Sequence, residues 1–205
     1  MNKKGFTFIE VIIIFTIIFI MTAVLLGTSY KDRSKKQIES VAREVSAAIR
    51  ETQNNALTGK QKQNDVMPCA FAFKTYTNGY KMFYSYRSLD DSCPPDVIAT
   101  DTTPSGEMAG FWESLVSTQL PKDVHINTIA VDYNENRSSN EDNIIFLVPY
   151  GDFIVTKRVG NSSDYKGIDV RVEKSDGSEK YHICVHATGL IEEIGFNNED
   201  LACAF

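Results

Sequence analysis

The chain has 205 residues, of which 42% are hydrophobic and 23% are charged, and its formal net charge is −6 at pH 7. Once the apolar amino-terminal segment is set aside, the remaining residues, about 150, are enough for one domain that buries its own core. An acidic surface repels nucleic acid and anionic lipid headgroups, which disfavours both as partners of that domain. We find no internal repeat and no second domain boundary.

An apolar segment lies at the amino end. Fifteen of the 22 residues from 6 to 27 are Ile, Leu, Val or Phe, and a helix of that length covers about 33 Å at ~1.5 Å per residue, which matches one bilayer core. The sequence therefore predicts a membrane-spanning helix, and Lys3 and Lys4 predict a cytoplasmic amino end. Glu10 is the single acid in the segment. We expect it to have a function, because hydrocarbon offers its charge no partner.

The leader and this segment together resemble a known family. The run from Lys3 to Glu10, KKGFTFIE, followed by an apolar helix, is similar to the type III signal of type IV pilins and of the pseudopilins of type II secretion. The resemblance implies that a prepilin peptidase cleaves after Gly5, which makes residues 1–5 a leader peptide, and methylates the new amine of Phe6. It also implies that Glu10 neutralises the terminal amine of an adjacent subunit during filament assembly.

Two other interpretations of the amino-terminal segment stay open. Lys3 and Lys4 are compatible with the basic region of a secretory signal, and Gly27, Thr28 and Ser29 offer small residues for cleavage. A secretory signal, however, usually has an apolar core of only ~7 to 15 residues and no acid. The second interpretation is a signal anchor that has no role in assembly.

An amphipathic helix is predicted over residues 28–58, because apolar residues recur at steps of three and four positions. These apolar positions are Ile38, Val41, Ala42, Val45, Ala48, Ile49, Ala56 and Leu57. Charged residues occupy the other side, so one face of the helix needs a sheet to cover it. Thr58 and Gly59 mark the end of the helix, since glycine is favoured just beyond a helix terminus.

Residues 59–205 are expected to form a globular β-rich domain. Aromatic-rich stretches at 69–76 and 80–87 flank Thr77-Asn78-Gly79, a turn sequence that predicts an antiparallel hairpin. Further strands are expected at 124–133, 144–148, 152–159, 168–174, 180–187 and 190–194. The stretch 133–143 is so polar that it predicts an exposed loop.

The predicted fold class is α+β. In this prediction one long amino-terminal helix, transmembrane over residues 6–27 and amphipathic over 28–58, packs on antiparallel β-sheet. The order of the elements supports it, because a helix followed only by strands is the α+β pattern.

Four cysteines, Cys69, Cys93, Cys184 and Cys203, lie in a segment predicted to face an oxidising compartment. Four cysteines allow three pairings, and the sequence alone does not select one. We favour Cys69 with Cys93 and Cys184 with Cys203, because each pair closes a loop of about 20 residues, which stabilises a fold by roughly 3 kcal/mol.

Common motifs for catalysis or for a bound cofactor are absent from the sequence. The sequence has no Gly-x-Ser-x-Gly, no phosphate-binding loop and no His-Glu-x-x-His, so we expect no enzyme activity, no cofactor and no metal site. His182, Cys184 and His186 would share one face of a strand, a spacing that offers zinc ligands only if Cys184 is not in a disulfide. The stretch 197–200 offers oxygens to calcium but lacks a full ligand set.

The pilin resemblance includes the layout of the chain, which is similar to that of the H-type minor pseudopilin and of other minor pilins. It implies a structural minor subunit of a pilus or of a secretion pseudopilus, in the bacterial inner membrane as a single-pass protein with its domain outside the cytoplasm. The implied partners are the prepilin peptidase, other pilin or pseudopilin subunits, the inner-membrane assembly platform and, before assembly, membrane lipid.

Two alternative functions are compatible with an anchored chain of this kind. A DNA-binding minor pilin of an uptake system needs basic residues for phosphate contacts, and the acidic carboxyl end from Glu192 onward disfavours it. A membrane-anchored extracytoplasmic protein unrelated to filaments is the other alternative.

Overall fold

The computed structural model describes residues 7–59, 68–85, 112–132, 137–139, 143–148, 153–156, 165–196 and 203–205. Contacts divide the chain into two compact units, Met1–Gln37 and Ile38–Phe205. The described elements, in chain order, are α1 Phe8–Leu57, β1 Ala70–Tyr76, β2 Gly79–Ser85, β3 Trp112–Gln119, β4 Val124–Asp132, β5 Arg137–Ser139, β6 Asn143–Leu147, β7 Phe153–Thr156, β8 Tyr165–Lys174, β9 Lys180–His186 and β10 Ile191–Phe196.

The fold class predicted from the sequence is wrong. Side chains of α1 are described over two stretches, 8–24 and 33–57, and no helix in the described part of the chain is long and apolar enough to cross a membrane. Two antiparallel sheets dominate the rest, and the described residues of α1 that contribute to their core lie between Ile38 and Ala56.

Two five-stranded sheets form the framework of the second unit. Their strand orders are β3-β2-β1-β6-β7 and β10-β9-β8-β4-β5, and neighbouring strands are antiparallel throughout. The predicted hairpin is confirmed, since β1 pairs with β2 and Tyr76 lies opposite Gly79. Glycine is needed at that position because a Cβ on Gly79 would overlap the backbone oxygen of Thr118.

The core lies between the apolar face of residues 38–57 and the inner faces of both sheets. Alternate residues of each strand turn inward, such as Phe71 and Phe73 in β1 and Ile168 and Val170 in β8. The predicted amphipathic face is confirmed at seven of its eight apolar positions, which are buried, whereas the eighth, Leu57, is 50% exposed; the buried positions are Ile38, Val41, Ala42, Val45, Ala48, Ile49 and Ala56. The helix also ends as predicted, because Gly59 has a φ of 58° and stops the helical path.

Polar contacts fix the helix on the second sheet. The Ser46 hydroxyl donates to Glu193 Oε1 at 2.8 Å, and the Tyr181 hydroxyl donates to Glu193 Oε2 at 3.2 Å. Partial burial, together with the Glu193 carboxylate, raises the pKa of Tyr181, so this phenol stays protonated as a donor at neutral pH. The Gln53 side-chain amide donates to the carbonyl of Gly189 at 2.7 Å. Together these bonds set the position of the helix along the strands.

Two strands were not predicted. β3 pairs with β2 at the edge of the first sheet, and the polar β5 pairs with β4 within the stretch 133–143 that was predicted to be a loop. That loop prediction is wrong for β5. A strand at a sheet edge needs only backbone partners on one side, so its sequence need not be apolar.

The cysteines were predicted to form two disulfides. A disulfide joins Cys184 in β9 to Cys203. Cys69 is disulfide-bonded as well, while Cys93, its predicted partner, lies outside the described residues. Beyond Cys203, the ring of Phe205 contacts His186 edge-on, with centroids 5.3 Å apart, and fills the space above Gly167. Residues 203–205 therefore cover part of the face of β8 and β9 that turns away from the core.

Replacing Cys184 and Cys203 together by serine is expected to lower the free energy of unfolding by about 3 kcal/mol, because the unfolded chain regains the freedom of a 19-residue separation. Urea unfolding of the full chain without reductant, followed by tryptophan fluorescence, measures the change. An unchanged midpoint would show that the bond adds nothing to stability.

Phe73→Ala is expected to cost about 3 to 5 kcal/mol, because Phe73 is fully buried and its ring stacks on Tyr80 at a centroid distance of 5.1 Å. Val116→Ala is the matched control, since Val116 is 44% exposed on β3 and surface changes stay within about 0.5 kcal/mol. The same urea titration compares the two variants, and equal losses would contradict the described core.

Candidate functional site

The residue singled out by the sequence, Glu10, lies in the first turn of α1. Its carboxylate accepts two hydrogen bonds from Thr7, one from the backbone N–H at 2.8 Å and one from the hydroxyl at 2.9 Å. Both bonds end on Oε2. Among the described residues no donor reaches Oε1, so half of the carboxylate is available to another partner. Gly5 and Phe6, the predicted processing site, lie outside the described residues.

Thr7 and Glu10 form the start signal of the helix. The spacing Thr-x-x-Glu is the capping-box pattern, in which the acid at the third helical position bonds back to the residue that precedes the helix. The sequence contains this signal, which the interpretation of Glu10 as a charge in hydrocarbon left out of account. The hydrogen bonds from the Thr7 backbone and side chain hold the pKa of Glu10 below its ordinary value, since they favour the ionised form.

The sign of that pKa shift fixes how the cap responds to pH. Because the pKa of Glu10 is lowered on folding, the Glu10–Thr7 hydrogen bonds contribute fully to the stability of the fold at a pH above the ordinary glutamate pKa. This contribution is lost as the pH falls through the lowered pKa, when the carboxylate becomes protonated. The carboxylate is therefore charged at neutral pH and able to accept a bond from a cation.

An apolar surface follows the cap. Over Phe8–Val24 the large side chains are exposed, with Phe8 at 82%, Phe19 at 77% and Phe15 at 67%. The hydroxyls of the two threonines further along this stretch form hydrogen bonds within the helix. Thr16 donates to the carbonyl of Ile13, and Thr22 donates to the carbonyl of Ile18. Beyond Glu10, this described stretch thus presents no side-chain polar group that requires water.

The two histidines and the cysteine that share a strand face are each paired with another protein side chain. His182 and Asp169 are both fully buried, and the His182 Nδ1 lies 3.0 Å from Asp169 Oδ2. Cys184 is in the disulfide with Cys203, and His186 Nε2 lies 3.2 Å from Glu192 Oε2. No group of three potential metal-ligating side chains is present in the described ranges. The calcium candidate at 197–200 lies outside them.

Asp169 and His182 are arranged like a catalytic base and the acid that orients it, but the pair lies where a substrate does not reach. Both side chains have zero exposure, so no substrate reaches the imidazole in this structure. Arg171 on the neighbouring strand is also buried and lies opposite His182 in the β8–β9 register. The group is an internal polar cluster of the second sheet, which sequence reasoning missed because alternating polar residues in a strand usually face water.

The processing site, the cap and the exposed apolar stretch are adjacent in the chain, and together they make up the candidate functional site. Its described part offers a charged carboxylate with one unused oxygen, followed by an uncovered apolar helical surface. Comparisons of the chain with models of known protein families, with curated proteins and with solved structures found no match.

Proposed function

We propose that the protein is a structural subunit of a type IV pilus-like or type II secretion filament, processed by a prepilin peptidase. The observation that carries the proposal is the Gly5-Phe6 junction followed by Glu10 at the start of an exposed apolar helix. The resemblance of the leader motif is the reason for proposing this family. The geometry of Glu10 gives a reason why its carboxylate is suited to assembly.

The carboxylate of Glu10 supports the proposal through its unused oxygen. The Thr7 bonds occupy Oε2 and favour the ionised form of the group. The terminal amine of a neighbouring subunit, exposed when the leader is removed, is a cation of the right size to bond to Oε1. Charge-assisted bonds of this kind are about twice as strong as neutral ones, and they strengthen in apolar surroundings. The cap need not open for assembly.

The exposed apolar stretch supports the proposal because it requires a cover. Phe8, Phe15 and Phe19 are among a continuous set of exposed large side chains, and such a surface marks contact with protein or lipid. Helices of neighbouring subunits provide that cover in a filament, and membrane lipid provides it before assembly. The internal bonds of Thr16 and Thr22 allow both environments, because neither hydroxyl loses a water partner.

The sheet domain supports a location outside the cytoplasm. Its disulfide between Cys184 and Cys203 is a feature of proteins that fold in an oxidising compartment. On this proposal the assembly platform and the peptidase act at the inner membrane, while the domain lies on its outer side.

Gly5→Val is expected to block maturation, because a branched side chain next to the scissile bond prevents the peptidase from binding the junction. The mature wild-type chain is expected to begin at Phe6, and intact mass with amino-terminal sequencing of protein from its native host measures this. Asn2→Ala, a change elsewhere in the leader, is the control and is expected to be cleaved normally. A mature chain that begins anywhere else would refute the proposed processing.

Glu10→Gln separates the capping of the helix by this side chain from the pairing of its charge with a neighbouring subunit. Glutamine also serves in a capping box, so the helix start is kept while the charge is lost, and we expect about tenfold less subunit in filaments because roughly one charge-assisted bond is missing. The measurement is the fraction of processed subunit recovered with filaments sheared or detergent-extracted from the host.

Thr7→Val is the complementary control for Glu10→Gln. It removes the hydroxyl bond to Oε2 and leaves both the backbone bond and the charge. We expect this variant to assemble at nearly the wild-type level. If Glu10→Gln assembles normally and Thr7→Val fails, Glu10 acts as a helix cap and not as a charge partner.

A further inference from the structure

A cavity of about 510 Å³ lies between the β1–β2 turn and the connection from β3 to β4. We call it the hairpin cavity. Its volume is within the usual range of small-ligand sites, roughly 300 to 1,000 Å³. The side chains used in the argument below are those of Tyr76, Asn78, Lys81, Gln119, Lys122 and His125. No Asp or Glu is among the described residues that line it.

Backbone contacts hold the walls of the hairpin cavity in place. The N–H of Leu120 donates to the carbonyl of Asn78 at 2.9 Å, and the N–H of Ile126 donates to the carbonyl of Thr77 at 3.1 Å. The close approach of Gly79 to Thr118 adds a third point where the turn meets β3. Opposite them, His125 Nε2 lies 2.9 Å from the hydroxyl of Ser175. A cavity with fixed walls binds a ligand without the entropic cost of ordering them.

Positive charge is concentrated at this cavity, although the chain as a whole carries −6. Lys81 lies directly opposite Lys74 in the β1–β2 register, and their ammonium groups lie 5.5 and 5.4 Å from the centroid of the Tyr76 ring. Lys122 adds a second ammonium to the lining. Within the described part of the chain, neither Lys81 nor Lys122 forms an ion pair with a carboxylate. No described carboxylate therefore offsets either ammonium group.

We propose that the hairpin cavity binds a carboxylate, with the ammonium groups of Lys81 and Lys122 as its charge partners. The side-chain amides of Asn78 and Gln119 are the neutral hydrogen-bond donors beside them. A lysine ammonium binds a carboxylate or a phosphate as a point charge, and selectivity for phosphate is commonly added by several arginines or by the N–H groups at a helix amino terminus. The described lining contains neither. The carboxylate belongs either to a free small acid or to an Asp or Glu side chain of another protein.

Isothermal titration of the full chain in a non-ionic detergent tests the proposal with four probes: succinate, acetyl-Asp-Glu-amide, inorganic phosphate and the neutral succinamide. We expect at least one carboxylate probe to bind, succinamide not to bind, and phosphate to bind more weakly than the better carboxylate. Binding of succinate identifies a free acid as sufficient, whereas binding of the peptide alone identifies an acidic protein segment as the ligand.

Charge-removing variants locate the binding. Lys81→Gln and Lys122→Gln are each expected to weaken the better carboxylate probe about tenfold, since each removes one charge-assisted bond. Lys36→Gln makes the same charge change outside the lining and is expected to leave the affinity unchanged. Thermal unfolding of each variant checks that the fold is intact. The proposal is overturned if phosphate binds best, if no carboxylate probe binds the wild type, or if all three lysine variants bind equally.

Discussion

The burial of one helix face against two sheets is the contact on which the rest of the structure depends. Residues such as Ile38, Val45 and Ile49 are almost completely buried, and they touch a core to which both sheets contribute. Each fully buried side chain of this size contributes about 1.5 to 3 kcal/mol. The hairpin, the disulfide and the hairpin cavity are all built on strands whose inner faces this helix covers. None of them has a fixed geometry without that cover.

The parts of the fold that could be predicted are those with a strong local or periodic signal. The spacing from Ile38 to Ala56 gave the buried helix face, and Asn78 with Gly79 gave the hairpin turn. The misses have a common physical cause, since β3 and β5 exist because a neighbouring strand offers them backbone partners. A single sequence does not show which strands will be neighbours. The membrane-spanning helix was predicted from the apolar run 6–27, whereas no helix in the part of the chain that the structure describes is long and apolar enough to cross a membrane.

For the candidate site, the sequence indicated one functional residue but not the contacts around it. The leader motif singled out Glu10 as a charge within the apolar helix, but its place in the first turn and its bonds to Thr7 were overlooked, although the Thr-x-x-Glu spacing predicts both. The buried pair of Asp169 and His182 had no signal at all, because a polar side chain on alternate strand positions looks the same whether it meets water or other side chains. A pair of cationic side chains such as Lys81 and Lys122 comes from positions far apart in sequence, and only the fold brings both to the lining of one cavity.

The way the chain alternates between the two sheets has a consequence for how the domain forms. β4 and β5 leave the first sheet for the second, β6 and β7 return, and β8 to β10 complete the second sheet. Neither layer consists of a contiguous segment, so no cut of the polypeptide separates one finished layer from the other. Pairing partners distant in sequence must meet before either layer closes, which makes folding slow and cooperative. Such a protein is expected to resist division into fragments and to lose both layers at once when it unfolds.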